Sequence, residues 1–219
     1  MEYPKSDLNK VKRGAQKASY DKEVVHQLLD LSPICNIAFT VNDLAMVQPI
    51  NFGRIDDKLY IHGSHKNRMT SALLEAKKVC LTSMILDSMK LSKSAFHHSV
   101  NYRSVVVFGK VRELTTDEEK LNGLEAIINH FVPNRWENCR LPNEKEMKAT
   151  RVLEIEIESA SAKIANAPTS DNKTDEDLGF WAGQIPIRTV CDFPIPKDEK
   201  QPELPDHVQA FYDKRKDGF

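Results

Sequence analysis

The sequence has no apolar run approaching the roughly 20 residues that a helix needs to cross a bilayer. It has no excess of either charge: 31 Lys and Arg stand against 32 Asp and Glu, a formal net of -1. Such a balance draws neither a nucleic-acid backbone nor an anionic membrane surface. Its four cysteines, Cys35, Cys80, Cys139 and Cys191, contain no C-x-x-C pair and no two close together. Free thiols in a reducing compartment are expected, rather than a disulfide framework. The opening residues are polar and lack the apolar core of a secretory signal, so a cytoplasmic protein is expected. The G-x-x-x-x-G-K phosphate loop is missing, as is any internal repeat. What remains is 219 residues, 40% hydrophobic and 29% charged, an ordinary globular composition in one domain-sized chain.

Residues 1–19 are polar, with Lys10, Lys12, Arg13 and Lys17. They read as a flexible, solvated N-terminal arm, or as one that wraps a partner subunit. Residues 21–31 carry Val24, Val25, Leu28 and Leu29 at helical spacing, and Ser32-Pro33 ends that helix. The period then changes. Residues 34–41, 45–54 and 58–62 read as strands, with turns at Asn42-Asp43 and Asp56-Asp57. Tight turns imply antiparallel pairing. Residues 67–77 predict a helix, 79–85 a strand, 86–99 an irregular polar stretch, and 102–114 a strand buried on both faces around Val105-Val106-Val107. Thr116 to Glu119 fits a capping box that opens a helix running to about His130. Residues 151–158 alternate, with Leu153, Ile155 and Ile157 on a core face and Glu154, Glu156 and Glu158 on a wet one. The chain thus divides into the arm, a domain over 20–165, and an extended tail over 166–219 with a short helix near 206–214. The tail carries Phe180, Trp181, Ile185 and Ile187 and is expected to pack on the barrel or on a partner subunit. The fold class is mainly β, a six-stranded antiparallel barrel with flanking helices, since closure removes open sheet edges.

Two polar stretches are candidate sites. The first is His62-Gly63-Ser64-His65-Lys66-Asn67-Arg68, where a strand end meets a helix N-terminus. Free amides, the close approach that Gly63 permits, and the planar charge of Arg68 suit a phosphate. The same residues also fit an ordinary capped turn with a surface arginine. The second is His97-His98-Ser99-Val100-Asn101-Tyr102-Arg103-Ser104, leading into the most apolar strand. Its polar groups need partners, which a ligand or one another could supply. No histidine pair with an acidic partner has the helical i, i+4 spacing of a metal site, so no metal is expected. Cys35 and Cys80 lie inside apolar strands, where burial disfavours a nucleophilic thiolate.

At these residues the sequence resembles the pyridoxamine 5′-phosphate oxidase-like, FMN-binding split-barrel superfamily, and most of all its flavin-nucleotide-binding, nitroimidazole-resistance-type branch. The likeness runs from about Tyr20 to Pro186. It rests on Tyr20-Asp21, Leu59-Tyr60-Ile61-His62-Gly63-Ser64, His98-Ser99-Val100-Asn101-Tyr102-Arg103-Ser104-Val105, Ser161-Ala162-Lys163 and Trp181-Ala182-Gly183. It implies a homodimer with two FMN sites at the subunit interface. By similarity, Gln48, Pro49, Ile50 and Asn51 lie along the isoalloxazine ring. The His62-Gly63-Ser64 turn and Arg68 hold the ribityl phosphate, with Ile61, Asn67, His98, Ser99 and Arg103 also at the cofactor. Ser104 falls where oxidase members place a glutamine on the flavin, and Trp181 corresponds to a partner-subunit tryptophan beside it. Two departures stand out. Met69 occupies the place of a phosphate-binding lysine, and Arg188 is followed by Thr189 and Val190 where the oxidases have R-x-H. The second argues against pyridoxamine phosphate as substrate.

The functional expectation is an FMN-dependent oxidoreductase acting on a small organic molecule, with His62 as the best catalytic candidate because histidine titrates near neutrality. The alternatives are a non-catalytic FMN-binding or redox-sensing protein, and a haem-binding relative with His62 or His98 as axial ligand.

Overall fold

The computed structural model describes residues 1–218; Phe219, the last residue of the tail, lies outside the described residues. After a two-residue β1 (Ala18–Ser19), α1 (Lys22–Leu31) starts at Asp21, whose carboxylate accepts from the Glu23 and Val24 amides. β2 (Ile34–Val41) and β3 (Leu44–Asn51) form a hairpin. Its turn residues Asn42 and Asp43 both take positive φ, 49° and 61°, the primed geometry that matches strand twist. β4 (Gly53–Ile55), β5 (Lys58–Ser64), α2 (Arg68–Ala76), β6 (Lys78–Leu91), β7 (Ser99–Glu113) and α3 (Asp117–Phe131) follow. The expected capping box is present at Thr116 and Glu119. The chain ends with α4 (Glu144–Ala149), β8 (Thr150–Ala165), β9 (Gly183–Pro186) and α5 (Asp206–Arg215).

The strands run β3-β2-β6-β7-β8-β5-β4, with β1 on β8 and β9 on β6, nine strands among the described residues and every pairing antiparallel. This is the expected antiparallel fold with more strands than the six foreseen. The path is open, with β3 and β4 at its ends, yet the single residue Phe52 joins those ends and is fully buried. The chain itself therefore bridges the seam. α1 contributes Val25, Leu28 and Leu29 and α2 contributes Met69 and Leu73 to the core inside the curved sheet. α3 covers the other side of β5 and β8, where Ala126 and Ile127 meet Tyr60, Leu114 and Val152. Gly53 permits that approach: a Cβ there would stand 2.3 Å from the backbone of Ala126.

Three expectations need correction. Residues 1–19 are not simply a solvated arm. Tyr3 is 2% exposed, its hydroxyl donates to Asp57 at 2.5 Å, and Asn9 is buried with its amide on the Ala160 carbonyl. The irregular polar stretch begins later than expected, because β6 continues to Leu91 by pairing with both β7 and β9. Glu154 is buried rather than wet, because Arg112, Lys58 and Tyr60 on the flanking strands all bond its carboxylate. All four cysteines are free, and burial pushes the Cys35 thiol up to about 12. Among the described residues no helix is long and apolar enough to cross a membrane.

Candidate functional site

The first corner is built where β5 ends. Alternation sends Leu59 and Ile61 into the core and Tyr60 toward α3. Ile61, expected at the cofactor, is instead a fully buried core residue paired with Leu153 on β8, and is not open to a ligand. Gly63 faces α2 closely: a Cβ would lie 3.2 Å from both Asn67 Nδ2 and Thr70 Cγ2. The turn closes through Asn67 N to the Ser64 carbonyl at 2.9 Å and Lys66 N to Ser64 Oγ at 3.2 Å. Asn67 caps α2, its side-chain oxygen accepting from the Met69 amide at 2.8 Å. Among the described residues no other first-turn amide receives a capping side chain, so the helix end keeps donors and a partial positive charge.

Two guanidinium groups flank this end. Arg151, opposite Gly63 on β8, donates to Ser71 Oγ at 3.1 Å and to Glu113 at 3.3 Å. Arg68 is exposed and has no ion pair among the described residues. It lines a cleft of about 560 Å³ between α2 and the β2–β3 turn, with Thr40, Asn42, Asp43, Ser71 and Glu75. Amides, hydroxyls and two guanidinium groups make a receptor for an anionic oxygen cluster. Arg151 was not foreseen from sequence; its only local signal is a cation at the start of a strand whose next residues are core.

His62 stands apart from this group. It lies opposite Val152, on the Tyr60 side of β5 rather than the Gly63 side. Among the described residues its Nδ1 is buried without a partner, and burial pulls the imidazole below its ordinary pKa, which favours the neutral ring. On β3, Pro49 is opposite Asn36 and Asn51 opposite Ile34, all on the outer face, whereas Ile50 packs against the core and Gln48 is exposed. Pro49 is tolerated because β3 is an edge strand.

The second stretch is partly self-satisfied. Asn101 is buried, donating to the Ala167 carbonyl at 3.0 Å and accepting from its amide at 3.1 Å, which ties the tail down. Arg103 is engaged by Asp87 on the neighbouring strand at 2.7 Å. His98 and Ser99 are exposed, and Ser104 is half-buried opposite Lys163 and Met84. The two stretches do not meet within one chain. Ser64 pairs with Thr150 at the start of β8, and Ser104 pairs with Lys163 near its end. That separation is on the order of 40 Å of strand path. Trp181, 67% exposed, folds over Gly183, whose partner Leu91 on β6 neighbours the second stretch. On the outer sheet face Met84, 59% exposed, lies level with Ile34, and Val47, 68% exposed, stands further along opposite Ala38. Among the described residues no three His, Cys, Asp or Glu side chains come together as a metal site.

A family model described as pyridoxamine 5′-phosphate oxidase matches residues 21–164. The flavocytochrome Anf3 of Azotobacter vinelandii is 33% identical, covering 94% of this chain and 96% of its own, with a TM-score of 0.85. The FAD and haem binding protein of Mycobacterium smegmatis is 31% identical over 89% of this chain and 96% of its own, with a TM-score of 0.81. A protein described as a candidate 5-nitroimidazole antibiotic resistance protein, from Bacteroides thetaiotaomicron, shares the fold at 22% identity, over 67% of this chain and 86% of its own, with a TM-score of 0.57. No curated protein matches. With two thirds of its length matched by the family model and both long relatives above 30% identity, the chain belongs to the pyridoxamine 5′-phosphate oxidase-like split-barrel family.

Proposed function

We propose that the chain is a flavin-dependent oxidoreductase that works as a homodimer and carries haem as a second redox group. The flavin reading rests on the α2 corner, where Ser64, Arg151, free helix amides and an unpaired Arg68 form a donor set suited to a flavin's phosphate. Flavin, when bound, supplies the electron chemistry that no side chain here can provide. The chain's own part is to bind and orient: the α2 corner holds the anion, β3 flanks the ring through Gln48 to Asn51, and neutral His62 can hold a proton at its unpartnered Nδ1. FMN needs only the one phosphate position. The cleft beyond Arg68, about 560 Å³, has room for the nucleoside of FAD, whose hydroxyls could donate to Asp43 and Glu75. A small organic molecule is the substrate class, and the unpaired thiols suit a cytoplasmic setting.

Two features support the dimer reading. The corner near Ser64 and the stretch near Ser104 lie at opposite ends of β8, so both reach one cofactor only if two copies supply them. The exposed Ile34, Val47 and Met84 give the outer face an apolar patch for a second copy to cover. The haem reading rests on two relatives above 30% identity, one a flavocytochrome and one an FAD and haem binding protein.

The test is the spectrum of the purified protein, with the released flavin identified by chromatography. Arg68→Ala with Ser64→Ala removes two charge-assisted or hydroxyl contacts and should weaken flavin binding at least about tenfold. Unchanged flavin content in that variant refutes the phosphate assignment. Anaerobic reduction by a nicotinamide donor, followed by rapid reoxidation with an organic acceptor, supports turnover; bound flavin that does neither points to a non-catalytic carrier.

A further inference from the structure

We propose that the far end of the β6–β7 hairpin, with β9 laid along it, is the haem site, and that His98 would supply an imidazole to the iron. The assignment builds on the haem reading above and gives it a place. Three strands form a flat apolar floor. Ile185 on β9 lies opposite Met89 on β6, and Met89 opposite Val100 on β7, so the three side chains stand in one row on one face. All three are exposed. Gly183, opposite Leu91, shares that face, and a Cβ on it would fall 2.7 Å from the Trp181 indole. The missing side chain lets the indole lie against the ladder beside Ile185. Two strand spacings make the floor about 10 Å wide. Phe96, in the 3-10 turn Ala95–His97 that joins the two long strands, is 89% exposed at its edge. So large an aromatic and aliphatic surface, left open, marks a binding face.

The imidazole stands beside that floor already oriented. His98 is extended, with φ -55° and ψ 137°, two residues before Val100 and on its side of the strand by alternation. Its Nδ1 is 3.1 Å from the Ser94 carbonyl oxygen. A carbonyl can only accept, so Nδ1 donates, and in the neutral ring this tautomer leaves the lone pair on Nε2. Iron-ligating histidines are held in the same way, the second nitrogen donating to a carbonyl or carboxylate.

The other histidines are not so placed. His26 is bonded to Tyr3 and Asp57. His130 bonds the Ser32 carbonyl and lies against Phe52. His62 and His207 each bury an unpartnered nitrogen. His65 is 4.0 Å from Glu113, beyond hydrogen-bond reach. His97 meets Phe96 edge-on, and no hydrogen bond fixes its ring among the described residues.

The experiment is a haemin titration of haem-depleted full-length protein, followed by the Soret band. Wild type should saturate with one sharp, shifted band. His98→Ala should bind at least tenfold more weakly and regain the wild-type band when free imidazole is added, a rescue that a merely structural role would not give. Met89→Glu, which places a charge on the floor, should also weaken binding, and His97→Ala should titrate as wild type does. A His98→Ala protein indistinguishable from wild type, or loss of the band in His97→Ala instead, overturns the assignment. A wild type that takes no haemin removes the haem reading and this site together. The flavin content of the same preparation is read separately and judges the flavin reading alone.

Discussion

Tyr3 offers a quantitative test of how the N-terminal residues are held. Its ring is part of the main core, and its hydroxyl donates to Asp57 at 2.5 Å. Asp57 also binds Lys22 and His26. Burial works against the Asp57 charge, but the hydrogen bonds from Lys22 and Tyr3 outweigh it and hold the carboxyl below its ordinary pKa. A hydrogen bond to a charged group contributes about 1.5–3 kcal/mol. Asp57 is 37% exposed and retains two other partners in Tyr3→Phe, so solvent screening brings the expected loss to about 1–2 kcal/mol. For a chain of this size that is a fall in Tm of about 2–8 °C. Tyr3→Ala loses the ring as well, and should cost about 3–5 kcal/mol. The pH dependence has a definite sign. A carboxylate whose folded pKa is depressed stabilises above its unfolded value near 3.9, and that contribution fades as pH falls through the folded value. The gap between wild type and Tyr3→Phe should therefore be full at pH 7 and shrink near pH 3. Differential scanning calorimetry at both pH values measures it. If both variants melt within about 1 °C of wild type at pH 7, Tyr3 is not docked in solution and the reasoning fails.

Gly53→Ala should be among the most damaging small substitutions, because the new Cβ would stand 2.3 Å from the Ala126 backbone, which cannot rotate away. A loss of more than about 3 kcal/mol, read by urea unfolding, is expected, and a neutral result would mean that α3 does not sit this close to β4. His62 and His130 are both pulled below the ordinary histidine pKa by burial. Each adds stability above the unfolded value near 6.5 that is lost as pH falls toward the folded value. Thermal melts between pH 7.5 and 5 should show this fall, and His62→Gln should flatten part of it; an identical slope in the variant would place His62 in solvent.

Where local chemistry decided the structure, the sequence was readable. The strand Ile34–Val41 was legible at both ends because its alternation stops at Asn42-Asp43, whose short polar side chains tolerate positive φ. The Thr116 and Glu119 box announced α3 for the same reason, since a cap is satisfied within four residues. The α2 corner could be foreseen as a polar turn ahead of a helix. Arg151 could not, because it reaches that corner only through the pairing of β5 with β8. Residues 86–91 looked irregular because their own side chains do not alternate in hydrophobicity. Their backbone groups are nevertheless paired, by β7 on one side and a tail nearly a hundred residues later on the other. Arg103 looked free for a ligand, and Asp87 had claimed it from the adjacent strand. The common cause is distance along the chain: a partner that arrives from another strand leaves no local trace.

The last helix bears on how the molecule is made. Arg215 donates from its guanidinium to the Leu31 carbonyl at 3.1 Å and, more weakly, to that of Asp30, closing the exposed end of α1 across 184 residues of sequence. A ribosome adding about 5–20 residues per second needs roughly 10–40 s to cover that interval. Throughout that time the first helix must wait with its final carbonyls facing water, so its seat on the barrel is completed only once Arg215 has been made and docked.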